Sequence, residues 1–570
     1  MGFYNYLMQR IALLWRHYIV AAAMLGWLLL LSLPASVCFG VAFQDRTGQF
    51  YSPGLGSVDL RANAAWGDYN NDGWVDLSAD GYVFRNNNGL SFSNIGADSG
   101  GPGLWGDFNN DGLLDLFGYY PNKRLLQNSG GDAFVDVTTK ITPPFGPYTT
   151  HRSSGAAWAD LNNDAYLDLY VGGFEDWETQ TTFPDMILTY DNASQRFNAT
   201  WQETVNRARG VTAADFDRDG DQDVYVSNYR RQPNRLWRNN PAGVLTHVAP
   251  TYGASGAAHT IGSAWGDFDN DGYLDLFVGN FSHSGQEPSH FLRNLGASGG
   301  YHFQNMKDLS GGDWQESYAS PALADYDNDG DLDLFFTTVY AGDNPRLFRN
   351  DGNWNFTNVT NSVGLGGLGR TGQAAWGDVD NDGDVDLVTD GKLFINDAHA
   401  SGNHYLKIHL EGNGVTVNRS AIGAMVFVFV NGRIMTRQVE GGTGEGNQND
   451  LTLHYGLGGH SGPVDVYVLW PDGTIETSDG VGIDQTLTIF KAAPPLEGDY
   501  DGDGDEDGSD FLMWQRGEVS NPPSAEDLAD WEALFGANNS LSLSATIPEP
   551  SSIVLLLAAF ACNLRWRRLS

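Results

Sequence analysis

From residue 41 to about residue 400 the apolar residues fall in short runs, too brief for helices and separated by Gly, Asn and Asp, a pattern that predicts strands joined by tight turns. Ala-rich phrases carrying Trp66, Trp105, Trp158, Trp265 and Trp376 stand two residues ahead of an Asp-rich loop, and apolar runs such as Leu276 to Val278 and Leu334 to Phe336 follow one. Each loop therefore caps a hairpin. Phrases such as Arg346-Leu-Phe-Arg-Asn350 and Asn355-Phe-Thr-Asn-Val359 supply two further strands, and four strands per repeat of about fifty residues form a blade. The loop recurs seven times, so the expected fold is all-β, a seven-bladed β-propeller over residues 41–400. Val41 to Gln49 resembles the outer-strand phrase of the later repeats and is expected to complete the last blade. From 403 to 491 alternating strands continue without such a loop, forming a small β domain.

Composition narrows the partners. Lys and Arg total 32 against 71 Asp and Glu, a net charge of -39, which argues against nucleic acid or an anionic membrane surface. Hydrophobic residues at 41% and aromatics at 12% are too many for a disordered acidic chain. Cys38 and Cys562 lie near the two ends, so no disulfide framework exists.

The ends read as address labels. Arg10, Arg16 and His17 precede the apolar block Ile19 to Leu33 and the small residues Ala35, Ser36, Gly40 and Ala42, the order of a secretory signal over residues 1–40; an uncleaved anchor is the alternative. Over residues 547–570, Pro548-Glu549-Pro550 precedes an apolar run and Arg565, Arg567 and Arg568.

The seven loops share one nine-residue phrase. Its odd positions hold Asp68, Asn70, Asp72, Trp74 and Asp76 in the first copy; Asp107, Asn109, Asp111, Leu113 and Asp115 in the second; Asp160, Asn162, Asp164, Tyr166 and Asp168 in the third. The later copies are more acidic: Asp215, Asp217, Asp219, Asp221 and Asp223; Asp267, Asp269, Asp271, Tyr273 and Asp275; Asp325, Asp327, Asp329, Asp331 and Asp333; Asp378, Asp380, Asp382, Asp384 and Asp386. A hard cation such as Ca2+ takes six to eight oxygens, so a short loop must turn alternate carboxylates inward and add a carbonyl, here from position 7. Glycine at position 6 permits the sharp turn, and Ala165 in the third copy makes that loop the weakest. Good turn chemistry alone explains one such loop but not seven. A twelve-residue variant follows, with Asp499, Asp501, Asp503, Asp505, Asp507 and Asp510 at the spacing of an EF-hand loop and Gly504 at its sixth position, within a module over 497–540.

These loops resemble FG-GAP or VCBS repeats, which implies a metal-dependent propeller and no particular ligand. Asn418-Arg-Ser-Ala-Ile-Gly-Ala424, His454-Tyr-Gly-Leu-Gly458 and Val468-Leu-Trp-Pro-Asp-Gly473 resemble the ASPIC/UnbV domain. The module after it is similar to a dockerin with one of its two loops missing, and the tail resembles the PEP-CTERM sorting signal of Gram-negative exported proteins, which implies removal during export to the surface or extracellular matrix. Arg419 and His454 are either structural polar groups or part of a site.

No spaced nucleophile and base, zinc motif or phosphate loop is found, so the expected function is calcium-dependent adhesion or binding of an extracellular glycan or surface protein without catalysis. A polysaccharide lyase on the same scaffold is the alternative. Eight residues ahead of five of the loops stand Arg152, Arg207, His259, Ser317 and Arg370, expected to gather at the channel mouth on the face opposite the loops. They either bind an anionic or sugar ligand or pair with nearby acids such as Glu316.

Overall fold

The structure, a computed structural model, describes residues 42–50 and 63–493, except 121, 145–151, 177, 180, 205 and 241–242. Residues 1–40, read above as a signal, the Asp499 to Asp510 loop with its module, and the tail 547–570 lie outside the described residues.

Among the described residues seven sheets of four or five strands follow one another along the chain, antiparallel but for one short pairing, with a two-stranded ribbon of Glu175–Asp176 and Thr181–Thr182 after the second strand of the third. The first, Ala64–Gly67, Asp76–Ala79, Tyr82–Asn86 and Phe92–Asp98, shows the plan: four strands in sequence order, with the Asp-rich loop joining strands one and two. The third sheet gains a fifth strand, Ile141–Thr142, parallel to its outer strand Arg196–Glu203. The seventh has only Ala374–Gly377, Asp386–Thr389 and Lys392–Ile395 from its own repeat. Its outer strand comes from the other end of the chain, where Gln44 and Asp45 pair with Ile395 and Phe394 as the sequence leads one to expect. The innermost strands touch in chain order, and the seventh touches the first, so the sheets form a ring. Close packing between sheets needs glycine. A Cβ on Gly67 would stand 2.9 Å from the Trp105 ring, and one on Gly377 would stand 2.9 Å from Trp66, so each indole lies flat against its neighbour's backbone.

The following segment forms two more sheets. His404–Glu411 lies between Leu453–Gly458, antiparallel, and Thr486–Phe490, parallel. Met425–Val430 lies between Arg433–Gln438 and Val464–Leu469, with Ile475–Val481 at the edge. Their apolar faces share one core, including Ile408, Val426, Val466 and Trp470, which is continuous with that of the second and third ring sheets.

What the sequence does not announce is the path of residues 439–450. This Gly-rich segment threads the centre of the ring and bonds to the innermost strand of every sheet. Gln448 exchanges backbone bonds with Ala64 and Trp66, both 3.1 Å, and its side-chain amide closes a second pair with Trp105 at 2.7 and 3.0 Å. Trp158 N–H donates to Gly441 O at 3.0 Å, Thr212 Oγ1 to Gly442 O at 3.1 Å, and Gly444 N–H to Ser263 O at 2.9 Å. Glu445 N–H donates to Ser320 Oγ at 2.9 Å and Asp450 N–H to Trp376 O at 3.0 Å. Innermost strands present unpaired backbone groups, which are costly to bury, and the plug satisfies them.

Small residues are required along this path: a Cβ at Gly441 would lie 2.0 Å from Trp158 O, a backbone atom with no room to move. Gly441→Ala is therefore expected to cost about 1–3 kcal/mol, the range for overpacking a filled interior. Urea unfolding of the variant checks this, and an unchanged midpoint would show that the plug is not packed as described.

Candidate metal centres

The loops are built by the same hydrogen bonds, save that Asp76 of the first accepts only from the end of its third strand. The position-1 carboxylate accepts the N–H groups of positions 5 and 6, as Asp325 does from Asp329 at 3.0 Å and Gly330 at 2.9 Å. The position-9 carboxylate accepts from position 2 and from the end of the third strand, as Asp333 does from Tyr326 at 3.1 Å and Asn350 at 2.7 Å. Two left-handed residues turn the chain: position 4, with φ between 53° and 59° from Asn71 to Asn381, and position 6. Ala165 adopts φ 69° where the other copies have glycine, the strain its sequence implies.

The carboxylates are buried beside one another. Burial first, then Asp219 and Asp217, push Asp215 up to about 8. Burial and Asp329 push Asp327 up to about 7, and burial raises Asp223, Asp275, Asp333 and Asp386 far above the usual range.

The arrangement fits a divalent cation. In four loops three carboxylates each bring an oxygen within 4.8 Å of the others: Asp215, Asp217 and Asp223; Asp267, Asp269 and Asp271; Asp325, Asp327 and Asp333; Asp378, Asp380 and Asp386. Oxygens on opposite sides of a Ca2+ at about 2.4 Å lie about that far apart. In the same four loops the position-3 oxygen Oδ1 of Asp217, Asp269, Asp327 and Asp380 is buried without a hydrogen-bond partner. An orphaned buried carboxylate oxygen at one repeated position is what a ligand atom looks like. The first three loops differ, because Asn70, Asn109 and Asn162 turn their amides onto the position-5 carboxylates at 3.0, 2.8 and 2.9 Å.

Two sets of residues escape motif reading. Asn86, Asn128, Asn239, Asn294, Asn350 and Asn396, at the ends of third strands, donate Nδ2 to the position-2 carbonyl of the preceding sheet's loop, at 2.7–2.9 Å. Position 4 of each loop reaches forward instead. Asn71, Asn110 and Asn381 donate to the position-6 carbonyls of Gly112, Ala165 and Gly73 at 2.9, 2.9 and 2.8 Å. Asn163 and Asn328 donate to the position-7 carboxylates of Asp221 and Asp384 at 2.6 and 2.7 Å, and Asn270 to Asp331 at 2.5 Å. The repeated Asn is visible in the sequence, but its partner is not. Arginines from third strands also reach the loops: Arg238 contacts Asp217 and Asp219 at 2.5 and 2.8 Å, and Arg293 contacts Asp269 and Asp271 at 2.7 and 2.8 Å.

The second β unit packs over much of the loop face. Lys407 Nζ lies 2.7 Å from Asp378 Oδ2, both buried, and Gly456 N–H donates to Asp325 Oδ2 at 3.0 Å. Arg433 pairs with Asp331. His454 donates Nε2–H to Gly383 O at 3.0 Å, and burial pushes its pKa down to about 3, so it is a neutral docking group. The backbone N–H of Arg419 donates to Asn110 Oδ1 at 2.9 Å.

The residues expected at the channel mouth are interleaved with acids. Arg152 lies 3.2 Å from Asp176, Arg207 2.8 Å from Glu175, and Ser317 donates Oγ–H to Asp343 at 2.5 Å. His259 packs edge-on against Tyr229, and Arg370 is exposed. The plug tip lines this mouth, where a cavity of about 270 Å³ is bordered by Arg152, Phe174, Arg209, Gln373 and Glu445; Glu445 is held by Arg209, itself near the Phe174 and Tyr229 rings, and by Gln373 at 3.0 Å.

Residues 107–171, 215–278 and 325–389 match the family model of the FG-GAP-like repeat, and residues 414–495 match that of ASPIC and UnbV. The chain thus combines FG-GAP repeats with an ASPIC/UnbV domain. It is similar to cartilage acidic protein 1 of Xenopus tropicalis, at 26% identity over 310 residues covering 51% of this chain and 46% of that protein. The Mus musculus protein is 25% identical over 315 residues, with the same shares. The chain therefore spans about half the length of the curated relatives it matches. Among solved structures it is similar to the Dos1 propeller, at 8% identity and a TM-score of 0.37, covering 57% of this chain and 74% of that one.

At the base of the plug a cavity of about 90 Å³ is lined by Lys407, Arg437, Glu440, Asp450 and His454. Burial raises Glu440 from 4.5 to about 8, and its Oε2 has no partner. A carboxyl raised in the fold stabilises it fully below the unfolded value and loses that contribution as pH rises through the folded one. Between about pH 5 and 9 the wild type is thus expected to lose stability relative to Glu440→Gln, read as the difference in urea midpoints across that range. Parallel pH profiles would place the carboxyl in water.

Proposed function

We propose that the protein is an exported, calcium-binding, seven-bladed β-propeller that acts at the cell surface or in the extracellular matrix as a non-catalytic adhesion or ligand-binding protein. The observation that carries the calcium reading is the orphaned position-3 oxygen in each of the four all-acidic loops. Ca2+ would be held by carboxylates at positions 1, 3, 5 and 9 and the position-7 carbonyl, and it would supply positive charge to buried acids. The Asp499 to Asp510 loop offers a further site by its spacing. Export rests on the sequence of the two termini.

The free face is the one opposite the loops, since the second β unit packs over much of the loop side. Phe174, Tyr229, His259, His283, Phe281 and Tyr340 form an arc there, with successive ring centroids 4.9–6.4 Å apart. Tyr340 is 47% exposed. Aromatic faces set among paired Arg, Asp and Glu suit an extracellular glycan or a protein loop, bound by stacking and hydrogen bonds. The likeness to cartilage acidic protein is in keeping with an extracellular binding role.

Exhaustive chelation is expected to lower the melting temperature sharply, and added calcium to restore it, because an ion that binds only the folded state stabilises it. Asp325→Asn should lose more of that rise than Asp160→Asn, whose loop is already strained. A melting temperature indifferent to calcium would overturn the reading. A glycan and protein array probed with the wild type and with Tyr229→Ala/Tyr340→Ala identifies the partner face, and equal binding by both would move the site elsewhere.

A further inference from the structure

We propose that the metal loops are wired into a closed circuit by their position-4 side chains, so that calcium binds to the ring cooperatively; this rests on the calcium reading above. Position 4 lies between ligand positions 3 and 5, so capture of an ion fixes its backbone and aims its side chain. That side chain ends on position 6 or 7 of the next loop, the turn that presents the neighbour's carbonyl ligand. Asn328, for example, holds Asp384 at 2.7 Å, and Asn381 in that same loop returns to Gly73 of the first loop at 2.8 Å, closing the circuit.

The exception supports the rule. The fourth loop has Arg218 at position 4, where an amide staple is missing. Its guanidinium lies 4.1 Å from the centre of the Tyr273 ring, and Tyr273 is position 7 of the next loop. A cation–π contact therefore spans the same gap that a hydrogen bond spans elsewhere. The Phe427 ring of the second β unit lies 5.0 Å from the same guanidinium, which ties its docking to the circuit. The residue type changes while the connection persists, so the link, and not local turn chemistry, is the common feature. All seven position-4 residues are left-handed, a conformation that Asn tolerates and Arg adopts only against strain.

An ion entering one loop thus pre-orders the turn of the next, and a second ion meets part of its ordering already accomplished. In linkage terms the sites share a coupling free energy, positive in sign and reciprocal between neighbours. In a closed ring every loop has a neighbour on both sides, so breaking one link weakens the two loops that flank it. A hydrogen bond of ordinary net strength corresponds to a change of about 2- to 10-fold in affinity.

The test uses the full-length protein stripped with chelator and titrated with CaCl2 in a calorimeter, with bound ions counted by native mass spectrometry. Asn71→Gly and Asn328→Gly remove the amide while keeping a residue that accepts the left-handed backbone. Asn71 is exposed, so that variant leaves the core untouched. Asn88→Gly, an exposed left-handed turn outside the circuit, controls for the change in chain flexibility. The wild type and Asn88→Gly should bind with a Hill coefficient above 1. Each link variant should retain the ion count, need about 2- to 10-fold more calcium for half-saturation and lose steepness. A wild-type Hill coefficient of 1, or link variants whose isotherms superpose on the wild type, would overturn the circuit while leaving the calcium reading intact. No calcium uptake at all would remove both.

Discussion

Everything in this structure follows from burying carboxylates in a ring. Asp223, Asp275, Asp333 and Asp386 have no exposure to solvent, and each faces other acids of its own loop. Like charges in a medium of low polarisability repel strongly and lose hydration as well. Backbone N–H groups of the loop, arginines of the third strands and cations of the second β unit offset part of this. They do so from the rim. The Oδ1 atoms of Asp217, Asp269, Asp327 and Asp380 remain without hydrogen-bond partners, and a divalent ion is a group that satisfies such an oxygen together with its neighbours in the loop.

The second consequence is architectural. A ring of sheets leaves an inner circle of unpaired backbone groups, and here the chain itself fills it. The plug is possible because residues 440–450 hold four glycines, and it ends on Glu445, clamped beneath the opposite face. The ASPIC/UnbV segment is accordingly more than an appended module: it seals the channel, packs over much of the loop face and places Lys407 against a position-1 carboxylate. The ring and its cover share core side chains, so they are expected to lose structure together.

Much of this was legible in the residues. The loop spacing locates the hairpins, and Val41 to Gln49 announces the strand that closes the seventh sheet. These signals are local, because strand alternation and turn chemistry act over a few positions. The plug is not local. Glycines between two strands read equally well as a surface turn, and only the dimensions of the ring turn them into a channel filler. Arg152 and Arg207 stand at a regular spacing, but Asp176 and Glu175, which pair with them, belong to a two-stranded ribbon with Thr181–Thr182, and that pairing is invisible to a search along the chain. The position-4 asparagines are regular in sequence, yet their partners belong to the following repeat.

The central claim is that the acidic loops are metal sites that hold the fold together. Native mass spectrometry of the full-length protein, equilibrated with calcium and then freed of excess salt, tests it most directly. The account predicts at least four bound calcium ions per chain, one for each loop whose carboxylates converge, all lost after chelation together with native compactness. A chain that carries no calcium and keeps the same compact charge-state distribution with and without chelator would contradict it.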